Sequence, residues 1–151
     1  MTADEVIGRL AELEDPARAA MSGRYLGVVP GGYGEGDVLL GIPVPAQRRI
    51  AREARDLPLD EVSTLLESPV HEHRFVGLVV LVQRYRRAGR AAAAELSAFY
   101  LRHRAAVNNW DLVDSSAPDL LGGELVAGTS WRELDALAGS AVLWDRRIAM
   151  V

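Results

Sequence analysis

Apolar positions along this chain recur mostly at helical spacing, and no segment alternates strictly enough to read as a strand. From about Ala3 to Met21 a stripe of Val6, Leu10 and Leu13 predicts an amphipathic helix, which Pro16 interrupts or restarts. Pro30 to Asp37, rich in glycine, reads as a loop, and Pro43 and Pro45 extend it to a helix near Ala46. That helix carries Ile50 and Ala54 on its apolar side and ends before Pro58. A short helix opening at Leu59 or Asp60 holds Val62, Leu65 and Leu66.

Ser68-Pro69 has the form of an N-cap followed by proline at the first helical position. The helix it predicts, Pro69 to about Arg87, is apolar almost all round and therefore buried, with Gly89 as its left-handed C-terminal residue. Arg90 to Arg104 is alanine-rich and helical, with Leu96, Phe99, Tyr100 and His103 near one side. Asn108 or Asn109 caps a further helix toward Leu121, which Gly122-Gly123 ends. Trp131 to Ala138 and Val142 to Val151 complete the series. Short helices joined by short turns predict an all-α architecture of antiparallel pairs, although no exact sequence repeat is present. The closing residues, Trp144 to Val151, read as the middle of a helix without a cap. On that pattern the 151 residues are expected to form a single helical repeat domain, the N-terminal part of a longer, C-terminally truncated solenoid. A cut solenoid would expose apolar side chains around Leu143, Trp144, Ile148 and Val151 and would self-associate, whereas a full-length form is expected to be a monomer.

Composition narrows the function classes. With 49% hydrophobic and 25% charged residues the chain is an ordinary globular one, so disorder is not the default. There is no cysteine, which excludes disulfides and thiolate metal sites. The longest apolar run, Phe75 to Val82, is short of the ~18 residues that a bilayer span requires, so no membrane partner is expected. The acidic start Met1-Thr2-Ala3-Asp4-Glu5 lacks the basic region of a secretory leader, and a cytoplasmic location is the expectation. The net charge of −4 argues against a nucleic-acid partner when taken alone. Its distribution softens that: all 17 basic residues are arginine, many of them clustered at 48, 49, 52 and 55, at 84, 86, 87 and 90, and at 146 and 147. Arginine is the better fork for phosphate, but most of these are expected on solvated helix faces or in ion pairs.

Several motifs point nowhere. The glycine-rich loop Gly31 to Gly36 follows no clear strand and lacks the Gly-Lys-Ser/Thr of a phosphate loop; its glycines suit a tight connection that packs or presents Tyr33. His71-Glu72-His73 lacks the second histidine four positions on that a zinc helix needs, because position 75 is Phe. A solvated first helical turn is expected there, and no metal or other cofactor is expected anywhere in the chain. No Gly-x-Ser-x-Gly elbow is present.

The segment Asn108-Asn109-Trp110-Asp111-Leu112-Val113-Asp114-Ser115-Ser116-Ala117 is more informative. On a helix Trp110 and Asp114 are i, i+4 and share a face. An indole beside a carboxylate suits a cation, which both attract. The plainer reading makes Trp110 a core residue and the two aspartates helix-surface acids near an N-terminus.

This segment, with Trp144-Asp145-Arg146-Arg147-Ile148-Ala149, Tyr33-Gly34-Glu35-Gly36-Asp37, Leu40-Gly41-Ile42-Pro43-Val44-Pro45 and Ser68 to Arg74, resembles the DNA alkylation repair (AlkD-like) family. The resemblance runs from about Met21 to Val151. Together, Trp110-x-x-x-Asp114 and Trp144-x-x-Arg147 are more specific than either alone. It implies a HEAT-like or armadillo-like α-α superhelix that wraps double-stranded DNA and removes cationic N3- and N7-alkylated purines. By the same resemblance Asp114 is the catalytic carboxylate and Trp110 an aromatic wall. Arg147 is expected at the DNA backbone beside the lesion, with Arg146, Tyr33 and Arg48 as further DNA contacts. The family's second tryptophan would fall beyond Val151, and Pro43 stands where relatives often carry a polar or basic side chain. Two other readings stay open: a non-catalytic nucleic-acid-binding member of the same fold, and a protein-binding helical scaffold, which the net charge favours.

Overall fold

The computed structural model describes residues 1–126 and 131–151, and the chain divides into two compact units, Met1–Val80 and Leu81–Val151. Among the described residues every regular element is helical, as the apolar spacing predicts, and strand-like pairing is limited to one isolated bridge.

In the first unit, α1 (Ala3–Ala11) opens with a capping box in which Thr2 and Glu5 satisfy each other's backbone N–H groups. It buries Val6 and Leu10, while Leu13 lies beyond its end and is exposed, so the predicted stripe stops one turn early. Pro16 does restart the helix: Asp15 caps α2 (Pro16–Tyr25) with proline in its first turn, where a missing N–H costs nothing. Packing of α3 (Val44–Glu53) and α4 (Leu59–Leu66) against α1 is reinforced by an Arg9–Glu53 ion pair and by the Ala3 amide donating to Glu61. Ile50, Ala54, Val62, Leu65 and Leu66 enter the core, as their spacing predicts.

The long apolar helix α5 (His71–Tyr85) starts two residues later than Ser68-Pro69 suggests. The reason is tertiary. Val70 is held in a parallel bridge with Val38: the Val38 amide donates to the Pro69 carbonyl at 3.1 Å and the His71 amide to the Val38 carbonyl at 2.9 Å. Ser68 still serves the turn, its hydroxyl accepting from the Val70 amide at 3.1 Å.

The first turn of α5 is the main departure from expectation. His71, Glu72, His73 and Arg74 are all buried. Asp37 receives a 2.6 Å hydrogen bond from Arg74 and lies 3.3 Å from His71 Nδ1. Glu72 accepts from the backbone amides of Leu40, Gly41 and Ile42. His73 Nδ1 lies 2.8 Å from the Ser68 hydroxyl. Burial lowers the His73 pKa below its ordinary 6.5, with Arg74 acting in the same direction and Glu72 opposing it. These charges hold the long loop onto α5. Gly41 is required at that junction: its φ is +78°, and a side chain there would strike the backbone of Asp15 and Ala19.

In the second unit α6 (Arg90–Arg102) begins at Gly89, whose φ of −73° is extended rather than left-handed. Gly89 thus starts the next helix instead of closing α5. A short turn of 3-10 helix, Arg104–Ala106, leads to α7 (Trp110–Asp114). The chain then winds through a π-helical turn, Pro118–Gly122, directly into α8 (Gly123–Val126). Gly122-Gly123 therefore does not end the helical path, and Gly123 allows the Tyr85 ring to come close where a side chain would clash. Both α9 (Arg132–Ala138) and α7 pack on α10 (Leu143–Met150). Leu96, Phe99, Tyr100, Leu112, Val113, Leu120 and Ile148 are among the apolar side chains this unit buries.

Candidate active site

Local sequence fixes α7. Asn109 is fully buried, and its side-chain oxygen accepts from the Trp110 amide at 2.9 Å, which starts the helix at Trp110. Asp111 accepts from the Leu112 amide at 2.8 Å, an acid in the first turn where the helix dipole favours one. Leu112 and Val113 face the core. That leaves Trp110 half-buried and Asp114 exposed, four residues apart and so on one face of the helix.

Beneath this turn lies a polar contact that the sequence does not advertise. The Ser116 hydroxyl donates to the Leu112 carbonyl at 2.6 Å and sits 3.1 Å from the Tyr100 hydroxyl. Tyr100 is wholly buried, which pushes its phenol pKa well above the usual value. Ser97 donates to the Leu120 carbonyl in the same region. Two serines and a tyrosine thus tie α6 to the segment that carries Trp110 and Asp114. Nothing in the local sequence signals this contact, because Tyr100 lies 16 positions from Ser116.

Arg147 arrives from α10. Ser140 anchors the start of that helix by donating to Asp145 at 2.8 Å and accepting from the Val142 amide at 3.1 Å. Arg146 turns one nitrogen back onto the carbonyls of Ser140 and Ala141, at 2.8 and 2.9 Å. With Ile148 buried beside it, Arg147 extends to Asp114 and forms a two-pronged ion pair, Nε to Oδ1 at 2.8 Å and Nη2 to Oδ2 at 2.7 Å. Both side chains stay open to solvent, at 40% and 39% exposure.

Two of the expected site residues, Asp114 and Arg147, are therefore in direct contact, although 33 positions separate them. Trp110 shares a helix with the first. Arg146 is engaged with its own turn. Tyr33 and Arg48 belong to the first unit. Tyr33 is about half exposed, donates to the Tyr25 carbonyl at 3.2 Å, and its ring leans on Gly27, whose φ is +65°. Arg48 lies on the exposed side of α3 with its guanidinium 5.6 Å from the Phe75 ring centre.

The carboxylate at Asp114 could stabilise a cation or orient a water, an exposed fork such as Arg147 could grip an oxyanion, and an indole offers a face to a cationic ring. Comparison with known proteins bears on which of these is used. Among curated proteins, none matches this chain significantly. A solved structure, a predicted DNA alkylation repair enzyme from Enterococcus faecalis, shares the fold with a TM-score of 0.59 at 20% identity. The match covers 91% of this chain but 63% of that one, so the chain spans less than two thirds of its neighbour's length. The model of the DNA alkylation repair enzyme family matches residues 6–151. By that match, which takes in α7 and α10 with nearly everything else, the chain belongs to the DNA alkylation repair enzyme family.

Proposed function

We propose that this protein is a DNA glycosylase that hydrolyses the N-glycosidic bond of cationic N3- or N7-alkylated purines in duplex DNA. The observation that carries the reading is the exposed carboxylate of Asp114, one turn from Trp110 and gripped by Arg147, in a member of a DNA alkylation repair family.

The chemistry suits so small a set of groups. An alkylated purine already carries positive charge, so it leaves without a strong general acid. As the bond from the sugar C1′ to the base nitrogen breaks, its electron pair neutralises the purine and positive charge develops on the sugar. Asp114 stabilises that charge and orients a water molecule, which adds to C1′ and gives up a proton to solvent through the carboxylate. Trp110 supplies an aromatic wall for the cationic nucleotide. Arg147 meets the DNA backbone beside the lesion, and Tyr33, Arg48 and Arg146 contribute further contacts to the duplex. No cofactor enters this scheme. A cytoplasmic site of action is part of the same proposal.

The test is release of N7-methylguanine or N3-methyladenine from methylated duplex DNA, with Asp114→Asn assayed in parallel. Loss of release in the variant supports the scheme, and retained release removes Asp114 from it. A second reading is a non-catalytic binding scaffold, for nucleic acid or for protein; the net charge of −4 favours the protein-binding form. It predicts no release by either form, with salt-dependent duplex binding if the partner is nucleic acid.

A further inference from the structure

The contact between Asp114 and Arg147 poses a problem for any use of either group. Each carboxylate oxygen already accepts a hydrogen bond from the guanidinium, at 2.8 and 2.7 Å, and the pair as a whole is neutral. A neutral pair is a poor stabiliser of a developing sugar cation, and a guanidinium committed to a carboxylate is a poor clamp for a phosphate. We infer that this ion pair is the resting state of a charge handover: a backbone phosphate of the bound duplex takes Arg147 and thereby releases the Asp114 carboxylate to the cationic nucleotide.

Three observations carry this. First, the exchange is chemically like for like. A phosphate presents two oxygens at nearly the spacing of a carboxylate, and a guanidinium fork serves either in the same two-pronged way. Second, the pair is accessible. At 40% and 39% exposure, both partners can be reached from solvent without unpacking a core. Third, the pair is weak enough to be exchanged. Its two-pronged geometry puts it at the strong end for exposed pairs, but at this exposure water and salt still compete for both groups. Meanwhile Arg147 is carried by a helix whose start is fixed by Ser140, Asp145 and Arg146, so only its side chain has to move. Asp114 ends a helix capped by the buried Asn109, so the carboxylate keeps its place when its partner leaves.

The inference rests on the duplex-binding part of the proposed function, and binding measurements separate the two. Affinity for an unmodified DNA duplex, and its dependence on salt, are measured for the intact chain and for Asp114→Asn, Arg147→Gln and the double variant, each checked for folding by circular dichroism. Handover makes Asp114 a competitor of the phosphate. Asp114→Asn therefore tightens binding by about two- to fivefold more in the intact background than in the Arg147→Gln background. Arg147→Gln also lowers the slope of log affinity against log salt by about 1, one phosphate contact. Arg147→Lys, which keeps the charge but loses the fork, gives a smaller tightening when combined with Asp114→Asn.

Equal tightening in the two backgrounds would show only general relief of repulsion and would overturn the handover while leaving the glycosylase reading intact. An unchanged salt slope in Arg147→Gln would overturn it as well. A chain that binds no duplex at low salt would overturn both. A cycle that holds in a protein releasing no base would support the handover and remove the glycosylase.

Discussion

The two units contain the same pair of residue types in opposite settings. Arg74 and Asp37 meet at 2.6 Å with only 5% and 7% of their side chains exposed, and His71 and the Ser68 carbonyl share in the contact. Arg147 and Asp114 meet at 2.7 Å with 40% and 39% of their side chains exposed. A buried ion pair forgoes its hydration and recovers it only while every partner stays in place, so removing one leaves an uncompensated charge. An exposed pair exchanges one set of water contacts for another and has little at stake. The difference separates the jobs. The Asp37 cluster fixes the loop to α5 and cannot open without disturbing the fold, whereas the Asp114 pair can open and still leave the fold as it was.

Substitutions at the two pairs should differ in what they cost. The largest effect is expected from Arg74→Met, which leaves Asp37 buried without its guanidinium and should lower stability by about 3–5 kcal/mol in urea unfolding. Next comes Glu72→Ala. It strips an acceptor from the amides of residues 40, 41 and 42 and should cost about 1.5–3 kcal/mol, with faster hydrogen exchange at Leu40 and Gly41.

A pH effect follows from His73. Its pKa is held below 6.5 in the folded state, chiefly by burial, so the unfolded chain binds a proton more readily. Its contribution is complete above pH 6.5 and is lost as pH falls toward the lower folded value. The slope is at most about 1.4 kcal/mol per pH unit, the limit for one proton. His73→Gln should flatten the unfolding free energy across that window, and an unchanged profile would assign the pH dependence elsewhere. The smallest effect on stability is expected at the exposed pair, where Asp114→Asn and Arg147→Gln should each shift unfolding by less than about 1 kcal/mol.

The same contrast explains what could be read in the sequence. Local signals were legible: a restart at Pro16, a cap at Asn108 or Asn109, and the apolar spacing of Val62, Leu65 and Leu66. Features set by distant partners were not. His71-Glu72-His73 reads as a solvated turn because the groups that bury it, Asp37 and the amides of residues 40 to 42, lie about thirty residues away. The late start of α5 follows from the Val38–Val70 bridge, which local pattern cannot show. Gly89 illustrates a local ambiguity, since glycine is compatible both with closing one helix and with opening the next. At the candidate site, Trp110, Asp114 and Arg147 are singled out by the family resemblance, and the structure adds that Asp114 and Arg147 touch. That contact could not be read in the sequence, because nothing in the spacing of α7 and α10 along the chain encodes an ion pair between them.

On the glycosylase proposal the exposed pair serves chemistry rather than stability. The most direct test of that proposal is Asp114→Asn, measured for urea stability and for N7-methylguanine release from methylated duplex DNA on the same sample. Unfolding within about 1 kcal/mol of the parent chain, together with loss of base release, is the expected outcome. Release undiminished in a stably folded variant would contradict it.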